Sequence, residues 1–127
     1  MKILTLIVTI LLFGCSGGVI GSENNKTIND VEWTLNGYTF SNTTLTATGM
    51  ITNTGDTTII ATWGVEAEFY SDSTFNLILG GEQQFFNVNL QSGVSKQWTL
   101  NYSDPDILES NYPSFAINNF RAFISKN

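Results

Sequence analysis

The sequence predicts an all-β fold, an antiparallel Ig-like β-sandwich of about seven strands with one short helix between the last two. Three observations predict it. Thr, Val, Ile, Phe, Tyr and Trp recur in short alternating runs, clusters of Gly, Asn, Asp and Ser separate those runs, and no heptad or long repeat is present. With 127 residues, 42 % of them apolar, the chain can build one domain, which at this size buries roughly two thirds of its unfolded surface.

The first run, residues 31–40, alternates Val31, Trp33 and Leu35 against Glu32 and Thr34, then meets the hairpin signal Asn36-Gly37 ahead of Tyr38 and Phe40. In the second, Leu45, Ala47, Gly49 and Ile51 share one face while Thr46, Thr48, Met50 and Thr52 share the other, and Asn53-Thr54-Gly55-Asp56 turns the chain. The third places Trp63, Val65, Ala67 and Phe69 on an expected core face and Gly64, Glu66, Glu68 and Tyr70 on an expected wet face. Phe75, Leu77 and Leu79 then predict a strand broken at Gly80-Gly81, with Phe86, Val88 and Leu90 predicting another before the turn Gln91-Ser92-Gly93. Val94, Trp98, Leu100 and Tyr102 alternate in the next run, and Phe120, Ala122 and Ile124 in the last. Between them, Asp104 as N-cap, Pro105 at the first helical position, Asp106 and Glu109 nearby and a stop at Tyr112-Pro113 predict the short helix.

The N-terminus is organised differently. Met1-Lys2 gives a short positive start, and residues 3–13 are apolar apart from Thr5 and Thr9. A spanning helix needs about 20 apolar residues, and Gly14, Ser16, Gly17 and Gly18 break this run first, so a cleaved signal is the better reading. The order Leu12-Phe13-Gly14-Cys15 resembles the lipobox of prokaryotic lipoproteins, in which an aliphatic, a variable and a small residue precede the cysteine that becomes the mature N-terminus. A thiolate is the nucleophile that takes a diacylglyceryl group as a thioether, and two acyl chains hold to a bilayer where one does not. The chain's single cysteine thereby acquires a use as a lipid attachment site. The alternatives are an uncleaved short anchor ending near Ile20, or an ordinary secretory signal followed by a free thiol. The expected organisation is a signal peptide over residues 1–14, a tether rich in small and polar residues over 15–29, and the β-domain over 30–127, facing outward from the cell.

Composition excludes several function classes. The formal net charge is −6 with five Lys and Arg residues, which removes the electrostatic footprint of a nucleic-acid binder. With no histidine and one cysteine, the chain cannot assemble a His-dependent triad, a Cys-His dyad, a zinc cluster or an internal disulfide. The disulfide-and-tryptophan pattern of antibody domains is excluded with them.

Three stretches, "TGMITNTGDTTI" (48–59), "GVEAEFYSDS" (64–73) and "LQSGVSKQWTL" (90–100), carry a resemblance. In their order of a Gly-x-aliphatic-x-Asn strand, a turn, a strand ending in Phe-Tyr, and a later Ser-Gly turn, residues 30–125 resemble the FxLYD-type domains, small extracytoplasmic Ig-like modules often found on bacterial and archaeal lipoproteins. The name-giving motif would fall at Trp98-Thr99-Leu100, with Trp in the aromatic place and Asn101-Tyr102 where Tyr-Asp is expected. The resemblance implies a non-catalytic surface module.

Candidate sites follow from chemistry. Glu66 and Glu68, two apart on one strand, would project about 6.5–7 Å apart, within reach of paired-carboxylate catalysis, but alternation already calls for a solvated face there. Tyr70 beside them completes an expected binding surface. Asp104, Asp106 and Glu109 offer hard oxygens for Ca²⁺ but lack the longer loop with a central glycine, so capping is the preferred account and no metal or cofactor is assigned. Asn25, Asn42 and Asn101 begin glycosylation sequons. Trp33, Tyr38, Tyr70 and Tyr102 could form a sugar-stacking strip. The expected partners are the membrane, through a lipid on Cys15, and a protein at the cell envelope that pairs with a sheet face or edge; a glycan is the second expectation. An enzyme, a hydrolase using the acidic residues, ranks last.

Overall fold

A computed structural model describes residues 25–107 and 111–125. The signal segment 1–14, Cys15 and the first part of the expected tether lie outside the described residues. Among those described there are seven strands: β1 (Lys26–Ile28), β2 (Val31–Ser41), β3 (Thr44–Asn53), β4 (Trp63–Tyr70), β5 (Ile78–Phe86), β6 (Ser95–Ser103) and β7 (Ala116–Ile124). They form two antiparallel sheets, one ordered β1-β7-β4-β5 and the other β2-β3-β6.

Both sheets feed one apolar core. Leu45, Ala47 and Ile51 of β3 and Trp98 and Leu100 of β6 meet Trp63, Val65, Ala67 and Phe69 of β4. The alternation expected on β3 holds: its burial switches at every residue, with Leu45, Ala47, Gly49, Ile51 and Asn53 inside. Each large side chain so buried stabilises by about 1.5–3 kcal/mol. The two buried indoles also need hydrogen-bond acceptors, and find them: Trp63 Nε1 donates to the Val88 carbonyl at 2.9 Å and Trp98 Nε1 to that of Met50 at 3.1 Å.

Two expected turns are strand instead. Asn36-Gly37 lies within β2, where Asn36 is the extra residue of a bulge between Leu35 and Gly37. Both halves of β2 pair with β3, from Val31 opposite Asn53 to Ser41 opposite Thr44, and that long ladder outweighs a local hairpin. The hairpin turn falls at Asn42, whose φ of 56° an asparagine tolerates. Gly80-Gly81 likewise lies inside β5, opposite Phe69 and Glu68. Its reason is space: a Cβ on Gly80 would stand 2.5 Å from Cε1 of Tyr102. The chain turns earlier, over residues 71–77, where Asp72 Oδ1 accepts from the Thr74 amide at 2.9 Å. The strand expected around Phe75 and Leu77 is therefore mostly loop, and Leu90 is held by an isolated bridge to Ile59.

Other turns stand as expected. Val94 N–H donates to the Gln91 carbonyl at 3.0 Å. Asn53, fully buried, caps its own turn by accepting from the Gly55 amide at 2.9 Å, and donates to the carbonyls of Thr57 and Leu90. The short helix is not seen among the described residues. Asp104 Oδ1 accepts from the Asp106 amide at 2.9 Å and Ile107 N–H donates to the Asp104 carbonyl at 3.0 Å, closing a single turn that drops Ile107 into the core. Residues 108–110, the middle of the expected helix, lie outside the described residues.

Gly49 is the tightest position in the core. A Cβ there would land on the Thr34 carbonyl oxygen and stand 2.5 Å from the Trp98 ring. Gly49→Ala is therefore expected to destabilise the domain by about 1–3 kcal/mol, the usual range for overpacking. A urea titration checks this as a lowered midpoint at unchanged slope.

Candidate functional site

Strand β4 is central in its sheet, between β7 and β5, and carries the sequence-predicted Glu66, Glu68 and Tyr70 on the side away from the core. The expectation of a wet face fails for the two glutamates. Glu66 is 2 % exposed and Glu68 5 %. Alternation separates two faces, but side chains of the flanking strands close over the outer one.

Register supplies the partners. Glu66 lies opposite Arg121 on β7 and Gln83 on β5. Arg121 Nε donates to Glu66 Oε2 at 2.5 Å, and Gln83 Nε2 to Glu66 Oε1 at 2.8 Å. Arg121 also donates to Thr27 Oγ1 on β1 at 2.6 Å and covers the Phe123 ring at 5.5 Å. One guanidinium thus ties three strands together, with its charge matched to a desolvated carboxylate.

Glu68 lies beside a backbone irregularity. The β4–β7 register shifts between Glu66 and Glu68, giving β7 an extra residue, and Asn119 takes a φ of 57° there. At the bulge the Asn119 amide donates to Glu68 Oε1, which also accepts from the Tyr70 hydroxyl at 2.7 Å. The Tyr70 phenol is pushed up from 10.0 to about 12, by burial first and then by its hydrogen bond to Glu68 and that carboxylate's charge. On the other side of the sheet, burial raises the Glu82 carboxyl, and burial followed by the charges of Asp104 and Glu82 raises the Tyr102 phenol.

The remaining candidates stand apart. Trp33 stacks on Phe120 at 4.3 Å, Tyr38 accepts from the Ile117 amide at 3.1 Å, and Tyr102 donates to the Leu79 carbonyl at 2.8 Å. Among the described residues no two of Trp33, Tyr38, Tyr70 and Tyr102 are in ring contact, so the structure does not bring the expected strip together. Of the possible metal ligands, Asp104 is engaged in its turn and Glu109 lies outside the described residues; among the described residues no three acidic or thiol side chains converge on a point. Asn42 is exposed at its hairpin, while Asn101 accepts from Thr46 Oγ1 at 2.7 Å across the β3–β6 pair. Asn25 precedes β1.

Sequence reasoning missed Arg121, Gln83, Asn119 and Thr27. The available signal was Arg121, the chain's one arginine, set between Phe120 and Ala122 in an otherwise apolar run. A charge in that setting calls for a partner, although spacing cannot name which.

No family model matches the chain, and no curated protein matches it. Among solved structures, the crystal structure of a selenomethionine-labelled β-glucosidase from Kluyveromyces marxianus is similar over 66 % of this chain and 10 % of its own, at 15 % identity and a TM-score of 0.39.

Two outcomes follow from the outer-face network. Arg121→Met strands the Glu66 carboxylate and is expected to cost about 3–5 kcal/mol, whereas the double variant Glu66→Met with Arg121→Met loses less than the two single changes combined. Urea unfolding of all four proteins measures the coupling, and additive losses would refute it. The raised Tyr70 pKa favours the protonated phenol in the folded state, because above pH 10 the unfolded chain has lost a proton that the native one keeps. Its stabilisation is complete below pH 10 and is lost as pH rises through about 12, so Tyr70→Phe should flatten the alkaline fall in stability over that window.

Proposed function

We propose that this chain is an extracytoplasmic lipoprotein, held to the cell membrane or cell surface by diacylglycerol on Cys15, whose Ig-like β-sandwich is a non-catalytic protein-interaction or assembly module of the FxLYD-type kind. Strand β2 carries the reading. It runs 11 residues at the edge of its sheet, and its outer row of backbone groups has no strand partner among the described residues. Trp33, Leu35 and Tyr38 on it remain more than a third exposed.

Solitary domains usually protect such an edge with charge, proline or shortness. Here Glu32 is the only charged residue on β2, and the bulge after Leu35 divides the strand into two segments. An added strand would gain backbone hydrogen bonds from the edge and side-chain specificity from the exposed aromatics. The engagement of both outer-face glutamates by neighbouring side chains supports binding over acid-base chemistry, which needs a carboxyl free to exchange its proton with substrate. Sugar stacking lacks comparable support, since the four candidate rings stand apart.

A photo-cross-linking residue at Leu35 in intact cells should capture one protein that the same residue at the exposed Asp56 does not. Equal labelling from both positions would overturn the edge assignment. Mass spectrometry of the mature N-terminus is expected to give a diacylglyceryl peptide beginning at Cys15; residues 1–14 still attached to a free thiol would refute the anchor.

A further inference from the structure

We infer that the end of the domain formed by the loops around Ile60 and Val88, together with Ile124 and Phe85, rests on the lipid bilayer. This rests on the anchored reading above. The side chains share one end of the four-stranded sheet. Trp63 begins β4 there, opposite Phe86 on one side and Ile124 on the other. Just beyond Trp63, the two loops are bound to each other by the Ile59–Leu90 bridge, by Ala61 N–H donating to Asn89 Oδ1 at 2.8 Å, and by Trp63 Nε1 donating to the Val88 carbonyl. Ser125 N–H donates to the Thr62 carbonyl at 3.0 Å and holds the end of β7 against them.

The apolar side chains at this end face water. Ile60 is 58 % exposed, Val88 54 %, Phe85 49 % and Ile124 39 %. They belong to tied loops and strand ends, so their exposure reflects where the backbone puts them. The opposite pole also exposes apolar side chains, Phe75, Leu77 and Ile78, so exposure alone does not choose between the two ends and the tether must.

The occupant is named by where the chain leads. Lys26, the first residue of β1, lies opposite Ile124 in the same row as Trp63 and Phe86. From Lys26 back to an acylated Cys15 the backbone can span at most roughly 40 Å. The anchor therefore pulls on the pole that carries Ile60, Val88, Phe85 and Ile124, and placing the opposite pole on the membrane would spend most of that length running back along the body. Charge does not compete with this contact. Lys26 and Lys96, whose ammonium stands 6.0 Å from the Phe86 ring centre, are more than offset at the same end by Asp30, beside Gly55, by Glu32 and by Asp56, so no cationic patch draws this end to anionic lipid. The contact is apolar, and a zwitterionic bilayer suffices for it.

The test uses the lipidated mature protein, beginning at Cys15, in phosphatidylcholine vesicles. An acylated Cys15 is a thioether and no longer reacts, so a cysteine introduced as Ile60→Cys, Val88→Cys or Leu77→Cys takes an environment-sensitive thiol probe alone. Leu77 is the internal control: it is 56 % exposed and sits at the opposite end of β4, its carbonyl accepting from the Ser71 amide. Probes at 60 and 88 should shift their emission to the blue on reconstitution and be quenched by spin-labelled lipid several-fold more than the probe at 77. If all three report water while mass spectrometry finds diacylglyceryl Cys15, the contact is wrong and the anchor stands. If Cys15 is unmodified, the anchored reading fails and takes this inference with it.

Discussion

The fold depends on keeping two carboxylates inside a sheet. A carboxylate taken out of water costs several kcal/mol unless charge and hydrogen bonds replace its hydration. Glu66 meets that condition through Arg121 and Gln83, and each comes from a different neighbouring strand. Sliding β7 by one residue along β4 would turn Arg121 to the core face, leave Glu66 unpaired and expel Ile117 and Ala122 from the core, so the pair and the apolar pattern select the same register.

Glu68 extends the same logic to the bulge in β7. There Asn118 is the cross-strand partner of Glu68, and the extra residue, Asn119, supplies the amide that donates to it, beside the Tyr70 hydroxyl. The positive φ of Asn119 is a local cost that an asparagine bears cheaply, offset by a hydrogen bond to a charged group.

The core shows the complementary device, rings seated on missing side chains. Trp98 covers Gly49, its cross-strand partner, and Tyr102 on β6 covers Gly80 on β5, joining the edges of the two sheets. Close-packed interiors leave no alternative site for such rings. Asn53 performs a polar version of this work, satisfying a turn amide and two carbonyls from one buried side chain, and so linking the turn after β3 to the loop that carries Leu90.

By itself the sequence determined the strand composition, the two faces of β3, the turns after Asn53 and Gln91, the absence of histidine and the position of the one cysteine. These are properties of neighbours along the chain, where alternation and turn chemistry act within a few residues. Only the tertiary structure decided that Asn36-Gly37 and Gly80-Gly81 continue strands, that the outer face of β4 is covered, and that Glu66 meets Arg121, 55 residues away. A glycine that turns the chain and one that makes room for a ring look alike until the ring arrives. The energies that distinguish them belong to atoms brought together by folding, and local preference along the backbone contains no record of them.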